Sequence, residues 1–180
     1  MYLRNIEKHA LRCDLLFKYL AERRMFVTAK MLVLYYSRTG NTAKMANAVA
    51  EGAKMITAVD VSLQQVAYNL EPEILSEFDA ILVGTPTYHH HMSDNIEKFF
   101  ENAAVKNITL KGKIGAAFGS YGWSGEAPRV IIEIMKNKFE MNVTDPPLLV
   151  SYSPDAAALE KCRELGRKIA ERLARPTYQG

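Results

Sequence analysis

The stretch YYSRTGNTAKMA, residues 35–46, connects a run of β-type residues to a helical pattern through SRTGNT, a loop of mostly small or hydroxylated residues. A helix start needs a glycine for the turn and one capping residue, yet this loop carries a serine, two threonines and an asparagine. Gly40 permits a tight turn, and the N–H groups of the helix start carry the positive end of the helix dipole. The excess of hydrogen-bond donors predicts a bound anion such as a phosphate.

The same loop also suits an ordinary capped helix, in which Asn41 or Thr42 is the N-cap. The chain contains neither the GxxxxGK[ST] phosphate loop nor the GxGxxG dinucleotide motif, which removes two common nucleotide-binding classes.

Composition and charge exclude several further classes of protein. The 180 residues are 48% hydrophobic, enough for one core. Cys13 and Cys162 form no CxxC pair. No apolar run approaches the roughly 20 residues of a membrane span. The first residues of the sequence do not resemble a signal peptide. We therefore expect a reducing, cytoplasmic location without membrane contact. Residues 1–30 hold 7 Lys/Arg and 3 Asp/Glu, so the rest of the chain holds 16 Lys/Arg and 17 Asp/Glu. The basic residues are too dispersed to form a nucleic-acid surface.

Five short runs of β-type residues alternate with helical patterns. The first, third and fourth runs are nearly continuous in apolar or small residues, which is typical of strands covered on both faces. Strands are predicted at LVLYY (32–36), AVDVS (58–62), AILVG (80–84), IGAAFGS (114–120) and LLVSY (148–152). Apolar residues at helical spacing predict helices over 42–54, 93–103, 125–139 and 156–173, and a shorter helix over 72–78.

This alternation predicts an α/β fold, a doubly wound parallel sheet that forms one domain over residues 31–180. Cys162 lies on the apolar face of the last helix and is expected to be a buried thiol. Ligands of such sheets bind beyond the carboxyl ends of the strands, where the winding reverses. The loops that follow the first, third and fourth strands should therefore converge on one site.

Residues 1–30 form a separate N-terminal extension with a helical pattern. Apolar residues alternate three and four positions apart at Leu3, Ile6, Ala10, Cys13, Phe17 and Leu20. Such a stripe suits a homodimer or partner helix, or a helix docked on its own domain. A mis-assigned start is a third reading, since Met25 and Met31 lie near the first strand.

The second loop is TPTYHHHMSD, residues 85–94. Tyr88 and His89 suit stacking or hydrogen bonding to a planar ligand, beside Pro86 and Thr87. His89, His90 and His91 are consecutive, and neighbours in an extended loop point in different directions. No carboxylate or cysteine nearby completes a metal set, so we predict no metal site.

The third loop is YGWSGEA, residues 121–127, and it carries the only tryptophan of the chain, Trp123. Gly122 and Gly125 let the backbone approach a ligand closely, and the indole can line the ligand or face a partner. The alternative is a tryptophan that merely covers the sheet edge. One phosphate loop and two loops of aromatic and glycine character suit a mononucleotide with a flat ring, and FMN has that shape.

Taken together, these loops resemble the flavodoxin-like superfamily over residues 31–174. SRTGNT matches its [ST]-x-T-G-x-T phosphate pattern at every fixed position, and GTPTY matches a widespread loop of the superfamily. FGSYGWSGEA and the last helix, LEKCRELGRKIAERL, closely resemble the flavodoxin module of A-type flavoproteins, the flavo-diiron proteins.

The resemblance implies a five-stranded sheet of order 2-1-3-4-5 with FMN at the switch point. It implies that the phosphate is bound by Ser37, Arg38, Thr39, Gly40, Asn41 and Thr42. It places the flavin ring beside Pro86, Thr87, Tyr88, His89, Ser120, Tyr121, Gly122, Trp123 and Gly125. The chain departs from the A-type module at His89, His90 and His91, where Asn-Asn-Gly is typical, and it has no second domain with di-iron ligands.

The function predicted first is an FMN-binding electron carrier that passes electrons between redox partners, such as a ferredoxin-like donor, a reductase or a di-iron protein. No catalytic residues are then needed. One alternative is an FMN-dependent NAD(P)H:quinone-type oxidoreductase. Another is a detached flavodoxin subunit that docks on a separate di-iron oxidase.

Overall fold

The computed structural model describes residues 28–88 and 91–175. The strands are β1 (Ala29–Tyr35), β2 (Val59–Gln65), β3 (Ala80–Gly84), β4 (Ile114–Tyr121) and β5 (Asn142–Ser151). The helices are α1 (Asn41–Lys54), α2 (Asp94–Val105), α3 (Glu126–Glu133) and α4 (Ala156–Ala174). A 3₁₀ helix (Pro72–Glu77) precedes β3, and a π-helical turn (Ile134–Lys138) continues α3.

All neighbouring strands of the sheet are parallel, in the order β2-β1-β3-β4-β5. The predicted doubly wound α/β fold with order 2-1-3-4-5 is therefore confirmed. The postulated N-terminal helix over residues 1–30 lies almost wholly outside the described residues. Its last members, Ala29 and Lys30, belong to β1, where they pair with Val59 and Asp60.

Two predicted strand boundaries were wrong at the edges of the sheet. The strand β2 runs to Gln65, beyond the predicted residue 62, because its polar residues face partly outward on an edge strand. The strand β5 begins at Asn142, six residues before the predicted 148. Pro146 and Pro147 conceal this start in the sequence, yet an edge strand with a register shift tolerates prolines that cannot donate to a ladder.

The core consists of two apolar layers, one on each face of the sheet. Side chains alternate across β1, so that Met31 and Val33 face α1 and α4 while Leu32 and Leu34 face α2 and α3. The strand β3 is buried along its whole length. This double coverage explains why the central strands read as nearly continuous apolar runs.

The helices α1 and α4 pack so closely that two glycines are required between them. A Cβ atom on Gly52 would lie 1.9 Å from the carbonyl oxygen of Arg163, and one on Gly166 would lie 1.9 Å from that of Val49. Cys162 is buried in the same layer, as predicted, and burial raises the pKa of its thiol to about 11.

Throughout residues 28–88 and 91–175, no helix combines the length and apolarity needed to cross a membrane.

Lys113 holds the end of the 3₁₀ helix against the sheet. Its ammonium donates to the carbonyl oxygens of Ser76 at 2.7 Å, Phe78 at 2.6 Å and Leu75 at 3.3 Å. These bonds use all three of its donors. Burial lowers the pKa of Lys113 from its ordinary value, and nearby Asp79 acts in the opposite direction.

We expect Lys113→Met to lower the free energy of unfolding by about 2 kcal/mol, because it leaves three main-chain carbonyls without their charged donor. Urea denaturation measures the change. The matched control is Lys111→Met, since Lys111 makes only an exposed ion pair with Glu140 and its loss should change little. Equal effects of the two substitutions would contradict this role for Lys113.

Candidate functional site

The first loop joins β1 to α1, and its geometry depends on Gly40. This residue is the N-cap of α1 and has φ +87°, in the left-handed region that favours glycine. Its carbonyl accepts the first helical bond, from the N–H of Lys44 at 3.0 Å, and its own N–H donates to Ser37 Oγ at 3.1 Å. The alternative that Asn41 or Thr42 is the N-cap was therefore wrong.

No side chain caps the start of α1 within the described residues. The N–H groups of a first helical turn have no acceptor inside the helix. A Cβ atom on Gly40 would have no atom within 4 Å, so the space beside Gly40 at the helix start is open. An uncapped helix start that faces open space suits an anionic ligand better than it suits a purely structural turn.

A hydrogen bond between two hydroxyl groups ties this helix start to the end of β4. Thr42 Oγ1 and Ser120 Oγ lie 3.1 Å apart, and both residues are buried although 78 positions separate them in sequence. The strand β3 lies between β1 and β4, so the contact crosses the point where the winding reverses. The first loop therefore meets the end of β4, from which the third loop follows, as the sequence predicts.

The second loop ends at Ser93, one residue before its predicted end, because α2 begins at Asp94. The loop is fixed at both ends by the fully buried Thr85. Its hydroxyl donates to the carbonyl of Pro86 at 3.1 Å and accepts from the N–H of Ser93 at 3.4 Å. Between these ends, Tyr88 and His91 exchange two main-chain hydrogen bonds of 2.9 and 2.8 Å. The predicted site residue His89, and His90, lie outside the described residues, and His91 is exposed.

The second loop is also bound to the third. The N–H of Thr87 donates to the carbonyl of Ser120 at 3.2 Å, and the N–H of Ala127 donates to Thr87 Oγ1 at 3.3 Å. A Cβ atom on Gly119 would lie 2.0 Å from the carbonyl oxygen of Thr85, so only glycine permits this approach of β4 to the loop. These contacts bring Thr87 and Ser120 together, as the sequence predicts.

The third loop presents Trp123 to solvent. The indole is 91% exposed, so it does not cover the sheet edge, and the structural alternative of an edge-capping tryptophan was wrong. Gly125 is the N-cap of α3, and a Cβ atom there would lie 2.9 Å from Leu149 Cδ1. Gly122 is exposed and Tyr121 is half-buried. The indole is therefore free to contact a ligand or a protein.

Tyr88 connects the second loop to the first. Burial raises the pKa of its phenol from the ordinary value, and nearby Tyr36 adds to this, whereas the charge and a main-chain hydrogen bond of Arg38 act in the opposite direction. The tyrosine therefore stays protonated at neutral pH and lies beside Arg38. Tyr36 was missed in the sequence, where it reads as the last residue of the first strand.

Tyr152 is a second aromatic residue that sequence reasoning did not assign to the site. It follows β5 with φ +56°, is 70% exposed, and donates its N–H to the carbonyl of Tyr121 at 2.7 Å. Its ring lies near Gly122. Its position directly after the last strand was the available signal.

Over residues 28–88 and 91–175, no three His, Cys, Asp or Glu residues are grouped so that they could hold a metal ion.

The sequence matches the flavodoxin family over residues 33–166. The chain belongs to the flavodoxin family. FMN is the cofactor of this family, and the prediction of a flavodoxin-like, FMN-binding electron-transfer protein is confirmed. The open, uncapped start of α1 and the adjacent pair of hydroxyl groups fit the phosphate end of such a cofactor.

Individual relatives agree with this assignment. The type A flavoprotein fprA of Rhodobacter capsulatus is 40% identical over 147 residues, which cover 79% of this chain and 33% of that protein. A solved flavodoxin from the domain Archaea is 41% identical, with a TM-score of 0.73, over 81% of this chain and 99% of that one. Rubredoxin oxygen:oxidoreductase of Desulfovibrio gigas is 28% identical, with a TM-score of 0.72, over 80% of this chain and 36% of that one.

This flavodoxin-family chain spans about a third of the length of the curated relatives it matches. The predicted resemblance to the flavodoxin module of A-type flavoproteins is confirmed.

We expect Gly40→Ala to weaken FMN binding at least tenfold, or by about 1.4 kcal/mol, because relief of the left-handed strain moves the N–H groups of the helix start. The control is Gly112→Ala, which lies in the turn before β4, has φ +80° and has equally open space around a Cβ atom. Both substitutions should lower stability by about 1 kcal/mol. Fluorescence titration with FMN measures the difference, and equal affinities in the two variants would contradict the assignment of the first loop.

Proposed function

We propose that the three loops hold FMN and that the chain works as an electron carrier between redox partner proteins. The observation that carries this proposal is the helix start of α1, which is left uncapped beside the buried hydroxyl pair of Thr42 and Ser120. An uncapped helix start and neighbouring hydroxyl donors are the groups that a phosphate requires.

The phosphate end is assigned to the first loop and the first turn of α1. Main-chain N–H groups around Gly40 bind the anion. The hydroxyl of Thr42 donates to the anion and accepts from the hydroxyl of Ser120, since either hydroxyl can be the donor in their 3.1 Å contact. Arg38 is exposed at the rim and adds positive charge. The full phosphate set is Ser37, Arg38, Thr39, Gly40, Asn41 and Thr42.

The flavin ring is assigned to the second and third loops. One support is the main-chain hydrogen bond from the N–H of Thr87 to the carbonyl of Ser120, which holds the second loop close to the start of the third. The other is the exposed indole of Trp123, which can cover a flat ring. The residues assigned to the ring are Pro86, Thr87, Tyr88, His89, Ser120, Tyr121, Gly122, Trp123 and Gly125.

FMN, when bound, supplies the capacity to accept and release electrons. The residues of the chain bind and orient it, and the buried ends of the loops limit the access of water. Tyr88 stays protonated and can donate a hydrogen bond from the side of the second loop. This function requires no catalytic acid or base.

The partners are proposed as separate proteins in the cytoplasm: a ferredoxin-like donor or a reductase on one side, and a di-iron protein on the other. The similarity to the type A flavoprotein fprA of Rhodobacter capsulatus, 40% identical over 147 residues, supports redox partners of this kind. The exposed rings of Trp123 and Tyr152 at the edge of the site suit a protein contact.

We further propose that residues 1–30 support a homodimer.

We expect the FMN-loaded protein to exchange electrons rapidly with a ferredoxin or a flavodoxin reductase, and to oxidise NAD(P)H no faster than free FMN does. Anaerobic stopped-flow spectroscopy measures both rates. Rapid direct oxidation of NAD(P)H would contradict the carrier and favour a hydride-using enzyme.

A second test compares alanine substitutions of two exposed aromatic residues, one at the proposed partner surface and one as its control. Trp123→Ala should slow electron exchange about tenfold, since an aromatic contact at the centre of an interface contributes more than 1 kcal/mol to docking. Tyr68→Ala removes an equally exposed ring, 97% accessible, that follows β2 at the far edge of the sheet, and should leave the rate unchanged. Equal rates in both variants would place the partner elsewhere.

A further inference from the structure

The outer edge of β2 lacks the features that usually prevent a strand edge from pairing. The strand lies at one end of the sheet, and within residues 28–88 and 91–175 no segment pairs with its outer side. Its seven residues, VDVSLQQ, contain no proline, no lysine and no bulge, and Asp60 is their only charged residue. The opposite edge strand, β5, carries Pro146, Pro147 and a register shift. An unprotected edge of this kind is a template for pairing with a further strand.

The direction of the main-chain groups of β2 follows from one hydrogen bond. The N–H of Val66 donates to the carbonyl of Tyr35 at 2.8 Å, and the pairing of β2 with β1 continues without a shift over all seven residues of β2. Main-chain groups of successive residues point to opposite sides of a strand, so the even-numbered residues direct theirs to β1. The N–H and carbonyl groups of Val61 and Leu63 therefore point outward, where no described strand receives them.

The sequence of β2 is self-complementary about Ser62. When two copies pair antiparallel with Ser62 opposite Ser62, Val61 of each copy faces Leu63 of the other. Because both residues direct their main-chain groups outward, each of these pairs exchanges both of its main-chain hydrogen bonds. Asp60 then faces Gln64 of the other copy, whose amide can donate to the carboxylate. A two-fold interface requires this kind of self-complementarity, and a foreign strand would not.

The apolar side chains at this edge also favour a second copy. Val61 and Leu63 are only partly buried, and they pack against the apolar layer beneath α1 and α4. Antiparallel pairing joins the apolar layers of the two copies across the interface. Two large exposed side chains flank the strand, Met55 before it and Tyr68 after it. Counted from the axis at Ser62, Met55 of one copy and Tyr68 of the other lie at the same end of the interface, where pairing of the copies would cover apolar surface.

We propose that the outer edge of β2 binds the same edge of a second copy of this chain and so joins the two sheets into one. The paired strands run in opposite directions, so the carboxyl ends of the two sheets face opposite ends of the dimer. The order β2-β1-β3-β4-β5 places the loops after β3 and β4 away from the interface, so each copy stays open to a redox partner. The pairing requires neither residues 1–30 nor electron transfer.

The test introduces charges at Ser62 in the full chain. Ser62→Lys and Ser62→Asp each place two like charges opposite each other at the two-fold axis, whereas an equimolar mixture of the variants pairs opposite charges there. We expect the parent to form a dimer with a dissociation constant below about 10 μM, and each variant alone to dimerise about tenfold more weakly. The mixture should regain the dimer of the parent. Sedimentation velocity measures the mass in each case.

The control is Ser76→Lys, which adds the same charge to an exposed serine of the 3₁₀ helix and should dimerise as the parent does. The far-ultraviolet circular dichroism of all variants should match that of the parent, because lysine is common on natural edge strands. Ser62→Lys should bind FMN with unchanged affinity and exchange electrons at an unchanged rate, since β2 contributes nothing to the three loops of the site.

Three results would overturn the proposal. The first is a parent dissociation constant above about 10 μM. The second is a dimer that persists in Ser62→Lys and Ser62→Asp alike, which would assign the contact to another surface such as residues 1–30. The third is a mixture that dimerises no better than either variant alone, because the charges would then not meet across an axis at Ser62. Failure of the proposed electron-carrier function leaves this test intact, since the mass is measured without electron transfer.

Discussion

The hydrogen bond between Thr42 and Ser120 is the contact on which the site depends. It joins the first turn of α1 to the carboxyl end of β4, and it forms only because a sheet of order 2-1-3-4-5 places β3 alone between β1 and β4. The approach of Gly119 to Thr85 brings the loop after β3 into the same place. Three segments distant in sequence therefore meet where the winding reverses and leaves a crevice beyond the strand ends.

The sequence predicts this fold well because the central strands are covered on both faces. Full coverage requires continuous apolar runs, and those runs mark β1, β3 and β4 directly. Coverage is weaker at the edges, where polar residues of β2 and the prolines of β5 obscure the pattern. A single sequence could not place the start of β5, because an edge strand with a register shift needs no continuous apolar or hydrogen-bonding signature.

The loops of the site were predictable, but the arrangement of their side chains was not. The pattern SRTGNT locates the helix start, whereas the choice of Gly40 as the N-cap depends on its left-handed backbone. The exposure of Trp123 and the position of Tyr88 beside Arg38 depend on contacts between loops that no local pattern encodes. The buried hydroxyl of Ser93, which has no hydrogen-bond partner among the described residues, is likewise a property of tertiary packing, since a serine before a helix normally reads as a cap.

The most direct test of the account compares the dissociation constants of FMN and riboflavin, which differ only in the phosphate. We assign the phosphate to the uncapped start of α1, where N–H groups, hydroxyl groups and the helix dipole act together. We therefore predict that FMN binds on the order of 100-fold more tightly than riboflavin. Equal dissociation constants for the two flavins would contradict it, because the first loop would then contribute nothing to cofactor binding.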